Sequence, residues 1–190
     1  MSTNVPFPDD SLRSADELLY EIVNGERQEL APMGAFENVL AFRLGRWLDN
    51  FAEPRRLGAA TVETLFVLRD QPLLQRRPDV AFVSRAKQKQ HRLRRTSAWD
   101  VVPDLAVEVV SFSNLAEEID EKLGDYFAAG VQQVWVVYPE TRRLYVYQSL
   151  QNIRGHSEDD TVDASPVLPG FTFRLGDLFD SIENIDDDTP

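Results

Sequence analysis

Apolar positions change their spacing several times along the chain, and each change marks an element. Tyr20-Glu21-Ile22-Val23, then Asn24-Gly25, then Glu26 to Leu30 predicts a β-hairpin. Asn-Gly supplies the two positive φ values of a tight type I′ turn. From residue 35 to 52 the period lengthens. Phe36, Val39, Leu40, Leu44, Trp47, Leu48 and Phe51 share one helical face, and Pro54 ends the helix. Residues 59 to 69 are rich in strand formers until Pro72, and Val80 to Ser84 forms a short strand. Asp104 to Ser111 is almost wholly apolar, the pattern of a central strand covered on both faces. Ser113 reads as the N-cap of a helix to Ala129, with Gly130 just past its end. Val134 to Tyr138 is a buried strand, 139–142 a turn, and Leu144 to Gln148 a returning strand. Residues 149 to 165 read as a polar, acidic surface loop. Order resumes at Leu168-Pro169-Gly170-Phe171, and a last short helix spans Leu175 to Phe179.

Near the start, Ser14-Ala15-Asp16-Glu17 has the form of a capping box opening a short helix. The order of elements gives an α/β layer fold with a mixed sheet, and 104–138 a β-α-β crossover. There is no internal repeat.

The 190 residues suit one domain, placed at 14–180. Residues 1–13 and the acidic 181–190 are expected to be disordered. With 43% hydrophobic residues, the chain can bury roughly 70% of the surface its unfolded form exposes. It has no cysteine, which excludes disulfides, thiolate metal sites and cysteine nucleophiles and fits a cytoplasmic location. No apolar run approaches the roughly 20 residues of a membrane span. Residues 1–10 lack the basic and apolar regions of a secretory signal.

The net charge of -12 argues against a protein that coats nucleic acid. Its distribution changes that picture. Residues 76–95 hold eight of the twenty basic residues with Asp79 as the one acid, so this stretch carries +7 and the remainder -19. It is either a solvated helix or loop, or a nucleic-acid contact beside Asp79.

Two carboxylates and a lysine then stand out. Asp79 and Glu108 lie in apolar, strand-like runs, where an acid costs several kcal/mol unless something pairs with it. Asp104, Ala106, Glu108 and Val110 share one strand face. A structural explanation of Glu108 is a sheet-edge acid neutralised by an arginine. In the following helix, Leu115, Ile119, Leu123, Tyr126 and Phe127 form an arc about 120° wide, with Lys122 at its margin. Lys122 either pairs with Glu118 one turn earlier or reaches back over the sheet towards Glu108. Phosphodiester hydrolysis needs this combination. Oxygen ligands hold a hard cation, and a lysine offsets charge on the phosphate.

Other chemistries find little support. His91 and His156 are far apart in polar stretches, and no HExxH, Walker A, GxGxxG or GxSxG motif occurs. Ser111 and Ser113 read as a strand end and a helix cap. Trp47, Trp99 and Trp135 read as core or rim residues.

Arg77-Pro78-Asp79-Val80, Pro103 to Ser111, Glu121-Lys122 with Tyr126, and Gly130-Val131, Trp135 and Pro139 together resemble the Uma-two family of bacterial endonucleases. That family belongs to the PD-(D/E)xK restriction-endonuclease-like superfamily. The resemblance runs from about Tyr20 to Phe179. It implies a restriction-endonuclease-like core, a mixed β-sheet flanked by helices, with an N-terminal β-hairpin. It also implies Mg²⁺ or Mn²⁺ held by Asp79, Glu108 and the Val109 carbonyl, catalysis by Asp79, Glu108 and Lys122, a DNA substrate, and pairing into a homodimer. Two departures stand out. Val110 occupies the usual lysine position, and the lysine has moved to the next helix as Lys122. The resemblance implies a histidine near the start of the 35–52 helix in many relatives, where this chain has Glu37, read as a polar first-turn residue rather than a third ligand. Glu21 and Glu26 are read as exposed hairpin acids. The alternatives to a DNA endonuclease are an inactive nuclease-like fold serving binding or assembly, and a hydrolase of another phosphate ester.

Overall fold

The computed structural model describes residues 19–111 and 115–183. The expected capping box at 14–17, the N-cap at Ser113 and most of the acidic tail lie outside the described residues. The hairpin is present as β1 (Tyr20–Val23) and β2 (Glu26–Glu29). Its turn has Asn24 at φ 53° and Gly25 at φ 85°, the left-handed pair a type I′ turn requires.

The long amphipathic helix follows as α1 (Ala35–Ala52). The expected run at 59–69 divides into β3 (Gly58–Val62) and β4 (Phe66–Arg69). Glu63, at φ 47°, breaks it. A strand not foreseen, β5 (Leu74–Arg76), pairs antiparallel with both β1 and β4. Pro72 ends only the first arm of that hairpin. The small sheet has the order β2-β1-β5-β4.

The main sheet is built from β3, β6 (Val80–Ser84), β7 (Leu105–Val109), β8 (Gln133–Tyr138), β9 (Arg143–Ser149) and β10 (Asn152–His156), in the order β10-β9-β8-β7-β6-β3. Only β7 and β8 run parallel, joined through α3 (Ala116–Ala129). The other pairings are antiparallel, so the sheet is mixed as expected.

Residues 149–165 are not all loop. They hold β10 and β11 (Thr161–Asp163), and β11 pairs with β12 (Thr172–Arg174) ahead of α4 (Leu175–Glu183). Val162 and Ala164 are fully buried. Three residues with one apolar member are too short to show a period, so the acidic flanks dominated the sequence pattern.

Alternation along β7 sorts the core into two layers. Leu105, Val107 and Val109 pack with Leu40, Leu44 and Leu48 of α1, and with α4. Ala106 packs instead with Ile119, Leu123 and Tyr126 of α3, and with the small sheet. Each fully buried leucine of α1 contributes roughly 1.5–3 kcal/mol. Gly45 lets α1 approach closely, since a Cβ there would sit 3.0 Å from Val62 Cγ1. Glu108 shares the face of Ala106, so the strand itself turns this acid towards α3.

The helix α3 begins at Ala116 with Leu115 at the N-cap, and Leu115 N–H donates to Glu118 Oε2 at 3.1 Å. Gly130 ends it at φ 96°. The basic stretch forms α2 (Arg85–Gln90) and a loop. It follows the far end of β6, roughly 17 Å of strand away from Asp79. There Asp104 accepts from Ser84 N–H at 2.7 Å and pairs with Lys87 at 3.1 Å. The six Lys and Arg of 85–95 thus follow the opposite strand end, whereas Arg76 and Arg77 stay beside Asp79 and line the same cleft. Among the described residues, no helix is long and apolar enough to cross a membrane.

Candidate active site

Asp79 immediately precedes β6, and Glu108 lies near the end of the antiparallel β7. Val80 faces Val107 in the register, which brings the two acids together. Asp79 Oδ2 accepts the Val109 N–H at 2.6 Å. This bond orients Asp79 across the same strand that carries Glu108.

The helix α3 folds back over this face. Lys122 Nζ donates to Glu108 Oε2 at 2.7 Å, and Tyr126 OH donates to Glu108 Oε1 at 2.6 Å. Glu108 is only 4% exposed. Each of its oxygens is therefore held by one donor from successive turns of one helix. Glu118 faces the helix start instead of pairing with Lys122, so the longer-range partner prevails.

The small sheet supplies a residue that sequence reasoning placed wrongly. Glu21 is 1% exposed, not a solvent-facing hairpin acid. It accepts from Arg76 Nη1 and from Arg77 N–H, both at 2.8 Å, and lies 3.5 Å from Lys122 Nζ. Arg76 also reaches Asp125 Oδ2 through Nε at 2.8 Å and Nη2 at 2.6 Å. The only hint in the sequence was that Glu21 shares a strand face with Val23, which packs against the α3 layer. Glu26, by contrast, is exposed as expected.

These charges shift one another. Burial, reinforced by Glu108, pushes the Asp79 carboxyl up to about 8. Burial raises Glu108 as well, although Lys122 opposes the rise. For Lys122 burial acts to lower the pKa, but Glu108 and Glu21 overcome it and the value rises, so the side chain stays an ammonium. Burial and the neighbouring Glu108 raise the Tyr126 phenol well above its usual value, which keeps it a proton donor to the carboxylate.

Asp79, Glu108, Val109 and Lys122 all line one cleft of about 250 Å³. Glu21, Glu29, Glu63, Glu118, Glu121, Arg76 and Arg77 line it too. Glu37 is buried in the first turn of α1, folds towards Gly34 and is not among the lining residues. Trp99 is a core residue, stacked on Phe66 at 5.9 Å. Among the described residues, no group of three or more His, Cys, Asp or Glu side chains is arranged to hold a metal ion. Two acids and a lysine in one cleft can bind a cation and an anion side by side.

A sequence model of the Uma2 family, described as "Putative restriction endonuclease", matches residues 8–176. The fold is similar to the crystal structure of a "putative nuclease belonging to DUF820" from Anabaena variabilis. The TM-score is 0.75 at 15% sequence identity, covering 86% of this chain and 90% of that one. At that identity the likeness is one of fold. No curated protein matches the chain.

Proposed function

Because the chain belongs to the Uma2 family, we propose that it is a metal-dependent endonuclease that hydrolyses DNA phosphodiester bonds. The observation that carries this reading is the meeting of Asp79, Glu108 and Lys122 in one cleft, with Lys122 Nζ 2.7 Å from Glu108.

The donor set fits Mg²⁺, or Mn²⁺ in its place. Mg²⁺ keeps several waters and commonly takes one or two carboxylates plus substrate phosphate, so three protein acids are not required. Each Glu108 oxygen accepts one hydrogen bond here and retains a second lone pair. Asp79 and Glu108 would hold the ion, with the Val109 carbonyl as a third ligand. The ion supplies Lewis-acid polarisation of the phosphoryl oxygen.

The protein's own groups divide the remaining work. Lys122 stays protonated, so it cannot serve as the base. It donates hydrogen bonds, orients the attacking water and stabilises negative charge growing on the phosphate. Tyr126 and Glu21 act through others. Tyr126 fixes Glu108, and Glu21 holds the ammonium of Lys122 at the cleft wall.

Nicking of supercoiled plasmid in Mg²⁺ or Mn²⁺ tests the proposal. Asp79→Ala, Glu108→Ala and Lys122→Ala should each lower the rate by at least about a hundredfold. Cleavage that persists in all three variants overturns it. The acidic lining of the cleft, seven carboxylates against three cations, favours a second reading as a binding module. That reading expects no cleavage with any metal, and no divalent-ion binding that depends on Asp79 and Glu108.

A further inference from the structure

Three cations line the cleft, and two of them are already neutralised. Arg76 is held by Glu21 and Asp125. Lys122 sits between Glu108 and Glu21. Arg77 is different. Its Nε donates to the main-chain carbonyl of Tyr20 at 3.3 Å, and its Nη1 donates to that of Glu63. Among the described residues it closes no ion pair, and the Glu63 and Glu21 carboxylates act on it only at longer range.

Carbonyls hold a guanidinium in place without removing its charge. Arg77 has five N–H donors and uses two, so three remain for a ligand. Its surroundings fix it further. The guanidinium carbon lies 5.8 Å from the centre of the Tyr20 ring. Glu63, whose carbonyl it grips, has a left-handed φ of 47° and donates its N–H to the Asp79 carbonyl at 3.1 Å. Pro78 is the one residue between Arg77 and Asp79. The guanidinium is therefore held in register with Asp79 from two directions.

We propose that Arg77 is the phosphate-binding residue of this cleft, a pre-positioned fork for the non-bridging oxygens of an entering phosphodiester. The identity of the anion rests on the nuclease reading above. The need for such a cation does not, because any anion must enter past an excess of carboxylates. An arginine suits this role better than a lysine because its planar fork meets two phosphate oxygens at once.

The alternative is a strut that merely ties β1 to the turn at Glu63. Binding separates the two. A short fluorescent single-stranded oligodeoxynucleotide is titrated with the full chain in Ca²⁺, at several salt concentrations, with inorganic phosphate as competitor. Arg77→Gln should weaken binding by about tenfold. It should also flatten the slope of log K against log salt by about 0.7. Arg77→Lys keeps the charge and loses the fork, so it should weaken binding about threefold. Wild-type affinity and slope in a folded Arg77→Gln protein overturn the proposal. If that variant does not fold, wild-type affinity in Arg77→Lys overturns it instead. Plasmid nicking is read separately. A wild type that shows Arg77-dependent binding and never cuts keeps this assignment and removes the nuclease reading.

Discussion

Replacing Glu21 by Gln tests whether the small sheet braces the sheet face where Glu108 meets Lys122. The substitution keeps size and one acceptor oxygen but removes the charge and turns an amide towards a donor. Two bonds of 2.8 Å, from Arg76 and from the Arg77 N–H, compete for the remaining oxygen. Arg76 stays buried with Asp125 as its remaining carboxylate. Removing one partner of a buried pair typically costs 3–5 kcal/mol. Because Asp125 still holds Arg76 through two nitrogens, we expect the low end, about 3 kcal/mol. For a chain of this size that lowers the melting temperature by roughly 6–12 °C. Thermal and urea unfolding measure it. Glu26→Gln in the same hairpin is the control, with an expected change within about 0.5 kcal/mol because its side chain is exposed. Plasmid nicking by Glu21→Gln should fall less than in Lys122→Ala, since Glu108 still holds the lysine. A melting temperature equal to that of the control would refute the bracing argument.

Asp79→Asn should stabilise the metal-free protein while removing nicking. The Asp79 pKa rises to about 8 in the fold, against about 3.9 unfolded. The folded state thus binds the proton more tightly, and stability is lost as pH rises from about 4 through about 8. The full shift would cost about 4 kcal/mol at pH 7. Asp79 borders the open cleft, so water screening reduces this to about 2. Urea unfolding in EDTA should show the variant gaining on wild type up to about pH 8, and a pH-independent difference would contradict the shift. Tyr126→Phe removes the donor to Glu108 Oε1 and leaves a buried carboxylate oxygen short of a partner. It should cost about 1–3 kcal/mol in urea unfolding, and an unchanged midpoint would count against that bond.

Asp79, Glu108 and Lys122 were legible because each breaks a local pattern. Two acids interrupt apolar runs, and one lysine leans off an acidic helix face. The helix α1, the parallel pair β7 and β8 and the Asn-Gly hairpin were legible for the same reason, because a single segment carries the whole signal. Glu21 carries no such signal. It is one acid among several in a hairpin, and only the pairing of β1 with β5 buries it. That pairing was itself hidden, since Leu74–Arg76 is three residues long with one apolar member. The basic stretch misled for the opposite reason. For its residues 85–95, nearness to Asp79 in sequence became distance in space because the whole extended strand β6 lies between them, and only Arg76 and Arg77 stay at the cleft.

The ionic cluster around Glu21 also bears on when the site comes into being. Its contacts join residues 55 positions apart, as in Arg76 to Glu21, and 49 apart, as in Arg76 to Asp125. The Lys122–Glu108 contact spans only 14. Loop closure disfavours the distant meetings until the rest of the chain is compact. The helix-to-strand contact can therefore form early with its β-α-β unit, whereas the brace from the hairpin arrives last. During synthesis the hairpin emerges before Arg76 and must wait for residue 122 before its buried acid finds both arginine and lysine. The buried ionic cluster is therefore among the last contacts that loop closure favours, after the Lys122–Glu108 pair it adjoins.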